Sequence, residues 1–390
     1  MNILMLNRFD IYSLPGTVRM VELSQQFVKK GHQVTLCYYP NEERRILLPL
    51  LRDSDPVGVH TIKLNSNKKA FFDTLHCIRQ FARSADIIHF QKCFPEIALV
   101  ALWAAYLENK PLHYDWDDLE TAIVPEWTKS QVIYHIVKKY EEWLPSMVDS
   151  MSYSTQYVRE LAIERGVNPN RLMHAPVGAD LERFHPAKTG ESVRKHYKNS
   201  RLLVVYIGQL EGGSYADLFL QAAQQVIKKI SNIQFLVVGG GHRLPALQEM
   251  ACNLKLESIV SFTNYVPHDT VSDYIAAADV CVACFEDNPI TRCKSPLKIA
   301  EYLAAGKPIV ASAVGDVPLM VNGAGIMVPP GNPDKLAEGI LTILRNPSNL
   351  EDMKKAARKQ AETIYNWSVI ADRFLEMYQS TISNFKQKQQ

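Results

Sequence analysis

The sequence predicts an α/β protein made of two Rossmann-like halves, and three observations predict it. Short apolar runs alternate with amphipathic stretches along almost the whole chain, as strands and helices do in an open parallel sheet. The alternation lapses between Phe184 and Ser200, where Pro186, Gly190 and several Lys and Arg residues show no apolar period. It then resumes at Leu202. The length, 390 residues, suffices for two domains that each bury a core.

In the first half, Asn2 to Leu6 is a strand, Ser13-Leu-Pro-Gly-Thr17 a turn, and Val18 to Lys30 a helix with Val21, Phe27 and Val28 on its apolar side. Gly31-His32 closes that helix and Gln33 to Tyr38 is the next strand, giving the β–loop–α–β start of a parallel sheet. Such sheets bind ligands at carboxyl strand ends, where the Gly16 loop lies. No G-x-G-x-x-G is present, so the dinucleotide fingerprint gets no support. Strands follow at 61–64, 85–90, 111–115 and 148–154, and helices at 71–82, 95–107, 128–144 and 156–165. In the second half, strands are expected at 202–207, 234–238, 259–262, 280–284 and 308–312, with a short one at 326–328. Helices are expected at 217–230, 243–253, 271–277, 334–345, 350–364 and 367–385.

Composition narrows the function. A net charge of +2 implies no bulk electrostatic partner, and no basic block with interleaved aromatics suggests nucleic acid. Seven scattered cysteines point to a reducing compartment, hence a cytoplasmic location. Cys281-Val-Ala-Cys284 has CxxC spacing but lies in an apolar strand, where core packing is the expectation. Ile97 to Leu107 is too short to span a bilayer. The helix carrying Tyr134, Tyr140 and Trp143 reads as core, while Lys138 and Lys139 permit peripheral contact with an anionic membrane.

The chemistry is expected in Arg292-Cys-Lys-Ser-Pro-Leu-Lys-Ile-Ala-Glu-Tyr-Leu-Ala-Ala-Gly306. Ser295 is a good N-cap, Pro296 suits the first turn, and Gly306 suits the helix end. Lys294 and Lys298 are four apart, Lys298 and Glu301 three apart, so each pair can share a face. A cationic helix start suits a phosphate, and a carboxylate one turn on suits sugar hydroxyls. The alternative, a capped surface helix with solvated lysines and a Lys298–Glu301 pair, stays open.

In order along the chain, Gly31-His-Gln-Val-Thr35, Ala85-Asp-Ile-Ile-His89, Pro176-Val-Gly-Ala-Asp180, Phe184-His-Pro186, Val238-Gly-Gly-Gly241, Ala277-Ala-Asp279, Glu301-Tyr-Leu-Ala-Ala-Gly-Lys-Pro-Ile-Val310 and Trp367 resemble the GT-B glycosyltransferases of family four, or glycosyltransferase group one. The resemblance implies two Rossmann-like domains facing a cleft: an N-terminal acceptor-binding domain, 1–186 plus a final helix at about 368–390, and a C-terminal nucleotide-sugar domain, 187–367. It implies a retaining transfer from a nucleoside-diphosphate sugar, with UDP favoured by family frequency, to a hydroxyl acceptor such as a cell-envelope glycan, a glycolipid or a small molecule. The nucleotide-sugar is a co-substrate; no cofactor and no metal are expected.

By the same resemblance Glu301 holds ribose hydroxyls, and Ser295, Pro296, Leu297 and Lys298 match the Ser-Pro-x-Lys segment of one subgroup, with Lys294 just before it. Asn264, Tyr265 and Val266 meet the base through main-chain atoms, and Gly16 and Thr17 lie near the phosphates and the acceptor. Several positions depart from the family. Its first glutamate falls on Cys293, its arginine and lysine on Gln209 and about Ser214, and its second histidine on Gln91. The charge on the leaving diphosphate must then be met by Lys298, Lys294 or Arg292, with Lys298 the principal cation. Asp115, ending a strand in Asp115-Trp-Asp-Asp118, is the group expected to orient the acceptor hydroxyl, or else to cap the next helix. His89 is expected to be a packed strand residue, and Gly239-Gly-Gly241 either part of the site or only a turn. Two rival readings accompany these expectations: a degenerate non-catalytic partner subunit, and a GT-B nucleotide-sugar epimerase.

Overall fold

The computed structural model describes residues 1–12, 15–41, 54–65, 70–197, 202–211 and 215–389. Ser214 falls outside them. The chain forms two compact units, Met1–Pro176 with Trp367–Gln390, and Val177–Asn366.

In the first unit, β1 (Asn2–Asn7), β2 (Gln33–Tyr38), β3 (His60–Lys63), β4 (Ile87–Gln91), β5 (Leu112–Trp116), β6 (Ser150–Tyr153) and β7 (Leu172–His174) form one sheet in the order β3-β2-β1-β4-β5-β6-β7. Every pairing is parallel. Its helices are α1 (Val18–Lys29), α2 (Phe71–Ala82), α3 (Pro95–Leu107), α4 (Glu120–Trp127), α5 (Gln131–Met147) and α6 (Gln156–Glu164). The central strands β4 and β5 are buried at every position, including the polar His89, Gln91, His113 and Asp115.

In the second unit, β8 (Leu202–Ile207), β9 (Ile233–Val238), β10 (Val260–Phe262), β11 (Val280–Ala283), β12 (Ile309–Ser312) and β13 (Gly325–Val328) are ordered β10-β9-β8-β11-β12-β13, again all parallel. Its helices are α7 (Glu191–His196), α8 (Ala216–Ile227), α9 (Leu244–Asn253), α10 (His268–Ala277), α11 (Pro289–Arg292), α12 (Leu297–Ala304), α13 (Val317–Val321), α14 (Pro333–Arg345) and α15 (Leu350–Thr363). The final helix, α16 (Trp367–Gln387), belongs to the first unit. There Tyr378 packs on Phe27 and His113, and Thr381 bonds Ser150 at 2.8 Å.

The structure corrects several expected boundaries. The division falls at Pro176, not at 186. Ala179 N donates to Tyr365 O at 2.8 Å, and Phe184 joins the second core, so this stretch is tied to the second unit. The supposed linker contains α7, and Gly190 there approaches the backbone of Ala277 so closely that a Cβ would lie 2.3 Å from its nitrogen. Residues 120–127 are helical despite Pro125, and α5 begins only at Gln131, capped by Ser130.

In each doubly wound sheet the strand order reverses once, between β1 and β4 and between β8 and β11. Ligands of such sheets bind at the carboxyl ends of the strands flanking that reversal.

Candidate active site

In the second unit that position is occupied by Lys298. Its ammonium lies 4.1 Å from the Tyr206 ring centroid on β8 and 5.8 Å from that of Phe285, just after β11. Gly208 makes this possible: a Cβ there would sit 2.8 Å from Nζ. Gly239, at φ +136°, lets the next loop cross beneath, since a Cβ would meet the Gly208 carbonyl oxygen at 2.0 Å. The Gly239-Gly-Gly241 turn thus shapes the floor under the lysine.

Among the described residues Lys298 forms no ion pair with a carboxylate. Burial pushes its ammonium down to about 8, while Cys284 and Glu301 work in the other direction. A half-buried cation set over aromatic faces is a receptive place for an anion. The expected Lys298–Glu301 pair does not form. Glu301 is buried and accepts from His268 Nε2 at 2.9 Å. Arg183 Nη1 faces His268 Nδ1 at 3.0 Å. Arginine can only donate, so Nδ1 accepts and Nε2 carries the proton given to Glu301. Arg183 and His268 were not expected from sequence as site residues, and no local signal marks a contact across 85 positions.

Around these groups, several expectations change. Ser295 does not cap α12; its Oγ accepts from Val177 N at 3.0 Å. The N-cap position is Pro296, which offers no side-chain acceptor, so the first amides of α12 lack a side-chain cap. Gly306, at φ +62°, ends the helix as expected. Arg292 is exposed and tied to Asp287 by bonds of 2.6 and 3.0 Å, which sets it apart from Lys298 as a phosphate cation. Lys294, Pro296 and Leu297 are half-buried, and Gln209 is exposed. Cys293 is buried, its thiol donating to Ile290 O at 3.2 Å. Cys281 and Cys284 are buried free thiols pushed up to about 12 by burial. Asn264, at φ +61°, bridges Gly239 across the strand ends, and its Oδ1 accepts from Tyr265 N at 2.8 Å. Val266 is half-buried beside them.

The first unit revises the expected acceptor group. Asp115 is fully buried, gripped by Arg19 Nε at 2.6 Å and Nη2 at 2.8 Å, and bonded by Ser152. Its carboxylate is turned inward to Arg19 rather than towards the start of α4, as one half of an internal ion pair. His89 is buried against Tyr378, and burial lowers it to about 4, as befits a packed strand residue. At the surface end of the same strands stands Asp117. Gln91 Nε2 donates to it at 2.5 Å, and Lys92 Nζ lies 3.0 Å away. Lys92 also meets Asp118 at 2.6 Å and Glu120 at 2.8 Å, so a lysine fills the centre of this acidic group. Burial, with Asp118 and Asp115 nearby, pushes Asp117 up to about 7 despite Lys92. Asn7 Oδ1 and Gln91 Oε1, at the ends of adjacent β1 and β4, are buried and accept no hydrogen bond from the described residues. Gly16 is exposed, with only Phe9 near where a Cβ would stand; Thr17 is buried at the start of α1.

A cation at the switch point of one doubly wound sheet and hydrogen-bond acceptors at that of the other stand where ligands of such sheets bind. Residues 201–346 match the model of the family described as glycosyl transferases group 1, and residues 16–183 that of glycosyltransferase family 4. The chain belongs to the group 1 glycosyltransferases, and its fold class is GT-B. It is 28% identical over 243 residues to a D-inositol 3-phosphate glycosyltransferase of Rhodococcus jostii, covering 60% of this chain and 52% of that protein. A GDP-mannose-dependent monoacylated alpha-(1-6)-phosphatidylinositol monomannoside mannosyltransferase of Corynebacterium glutamicum is 26% identical over 241 residues, covering 60% and 62%. The matched region thus spans between half and two thirds of these relatives. Sucrose-phosphate synthase of Thermosynechococcus elongatus superposes with a TM-score of 0.76 at 19% identity, covering 98% and 100% of the two chains. Anabaena HepE in complex with UDP-glucose gives 0.76 at 16%, covering 97% and 100%.

Proposed function

We propose that this chain is a retaining glycosyltransferase. It moves a sugar from a nucleoside-diphosphate sugar, UDP-linked by first preference, to a hydroxyl of a cell-envelope glycan or glycolipid. The observation that carries the reading is the ammonium of Lys298, half-buried against aromatic rings and without a carboxylate partner among the described residues, at the switch point of the second sheet.

As the donor's glycosidic bond breaks, negative charge grows on the departing diphosphate. A fixed cation and uncapped helix amides stabilise that charge, because they need no rearrangement as the reaction proceeds. Lys298 and the start of α12 supply them, so no metal is required. Glu301 takes the ribose hydroxyls with its carboxylate oriented through His268. In a retaining transfer of this family's kind the donor phosphate oxygen takes the acceptor proton. The protein then has only to orient the hydroxyl.

Asp117 takes the orienting role first expected of Asp115. A carboxylate near 7 exchanges protons readily at neutral pH. Asn7 Oδ1 and Gln91 Oε1 add acceptors suited to further hydroxyls of a polyol or sugar. Asp117→Asn is expected to raise KM for the acceptor and lower kcat by about tenfold to a hundredfold, with donor affinity unchanged. Unaltered acceptor kinetics would remove Asp117 from the site.

The reading as a whole is tested by thermal shift with uridine, guanosine and adenosine diphosphates in chelator, followed by donor hydrolysis. The Anabaena structure holds UDP-glucose and the Corynebacterium relative depends on GDP-mannose, so both bases are tried. One nucleotide is expected to raise Tm by several degrees at about a hundredfold excess over its Kd. No stabilisation by any of the three would favour the non-catalytic subunit.

A further inference from the structure

Helix α5 carries apolar side chains on two sides. One side, through Val137, Leu144 and Pro145, enters the core together with the buried Glu141. The other runs along Val132, Ile133, Ile136, Tyr140, Trp143 and Met147. Steps of three and four place these residues on one stripe. That stripe faces solvent: Val132 is 69% exposed, Ile136 42%, Trp143 41% and Met147 47%. Trp127, closing α4, is 50% exposed. Tyr140 and Trp143 meet edge to face, with centroids 6.1 Å apart. The third side is polar, with Gln131, His135, Lys138, Glu142 and Ser146.

We infer that this stripe is a docking face for an anionic lipid-bilayer surface. A helix that lies in a membrane interface has this construction: an apolar side with Trp and Tyr, bordered by lysines that reach phosphate headgroups. Lys139 borders the stripe between Ile136 and Trp143, and Lys129 stands two residues from Trp127. Neither forms an ion pair among the described residues, whereas Lys138 is within 4.0 Å of Glu142 on the far side. The exposed acid Glu126 lies beside Trp127, so attraction to anionic lipid is modest and insertion of the stripe supplies most of the binding. No helix among the described residues is long and apolar enough to cross a membrane, so the contact is peripheral. This inference does not depend on the proposed transfer reaction. Together the two place the acceptor at a lipid surface.

The test is sedimentation of the full chain with vesicles of phosphatidylcholine alone and of an equal mixture with phosphatidylglycerol. The chain is expected to pellet with the anionic vesicles. The triple variant Ile133→Ser, Ile136→Ser, Trp143→Ser is expected to lose about tenfold or more of that partitioning while still unfolding cooperatively, because each side chain is more than a third exposed and none lies in the core. Lys129→Gln with Lys139→Gln is expected to lose severalfold and to flatten the salt dependence. Wild-type protein left in the supernatant with both vesicles overturns the inference. So does equal partitioning of the triple variant, or a wild-type dimer that the triple variant converts to monomer. Donor hydrolysis, measured in parallel without vesicles, reports on the transfer reaction independently.

Discussion

Lys298→Ala is expected to lower turnover by about a hundredfold to a thousandfold, the usual loss when one pre-placed charge-stabilising group is removed. Steady-state kinetics with the nucleotide found by thermal shift measures it, and near-wild-type turnover would refute the assignment. Folding is expected to survive. Burial lowers this ammonium to about 8 from 10.5, so between those values the unfolded chain holds more protons than the folded one. The charged lysine therefore opposes folding below about pH 8, and the opposition fades as pH rises from 8 towards 10.5. Lys298→Met removes it, so its Tm at neutral pH should equal or exceed that of the wild type. Calorimetry separates this from a folding defect. The same titration gives the wild type an alkaline limb: donor affinity falls as pH rises through about 8, where the free enzyme loses its cation.

Arg19→Ala is expected to cost about 3–5 kcal/mol, because it leaves Asp115 ionised, buried and unpaired. For a unit of this size that lowers Tm by about 6 to 20 °C. Burial alone would raise the Asp115 carboxyl, but the charge and bonds of Arg19 outweigh it and hold the group down at about 2, against 3.8 ordinarily. A lowered carboxyl stabilises the fold above the unfolded value, so this contribution is complete above about pH 4 and is lost as pH falls through about 2. The acid-unfolding curve of Arg19→Ala should lose that dependence. Arg19→Met with Asp115→Leu should recover most of the lost stability, since an apolar pair of similar volume carries no desolvation cost. A single variant that melts with the wild type would show that the pair does not carry this load.

Much of the fold was legible in the residues. Phe71–Ala82 and Pro95–Leu107 are helices over the expected ranges, and the apolar runs at 202–207 and 280–284 contain central strands. Regular periods of apolar residues report burial directly, so they survive folding. The misses have identifiable causes. No helix is expected from sequence over 120–127, yet the stretch is helical, with Pro125 late in it and Val124 buried. Ser295 has the chemistry of a cap, but Val177 N takes its hydroxyl from a distance of 118 residues. Asp115 lies at a carboxyl strand end, as a site residue should, yet its partner comes from α1, 96 residues away.

The sequence by itself determined the two α/β series, the ordered motifs of the family and the helix that bears Lys298 and Glu301. Only the tertiary structure decided which charges are spent on one another and which are kept in reserve. Asp115 is neutralised by Arg19 and Glu301 is steered by His268, while Lys298 rests on aromatic rings with no carboxylate of its own among the described residues. The physical reason is that periodicity is a property of neighbouring residues. Ion pairing across tens of positions depends on the order in which strands lie side by side, and that order is set by the packing of the whole sheet.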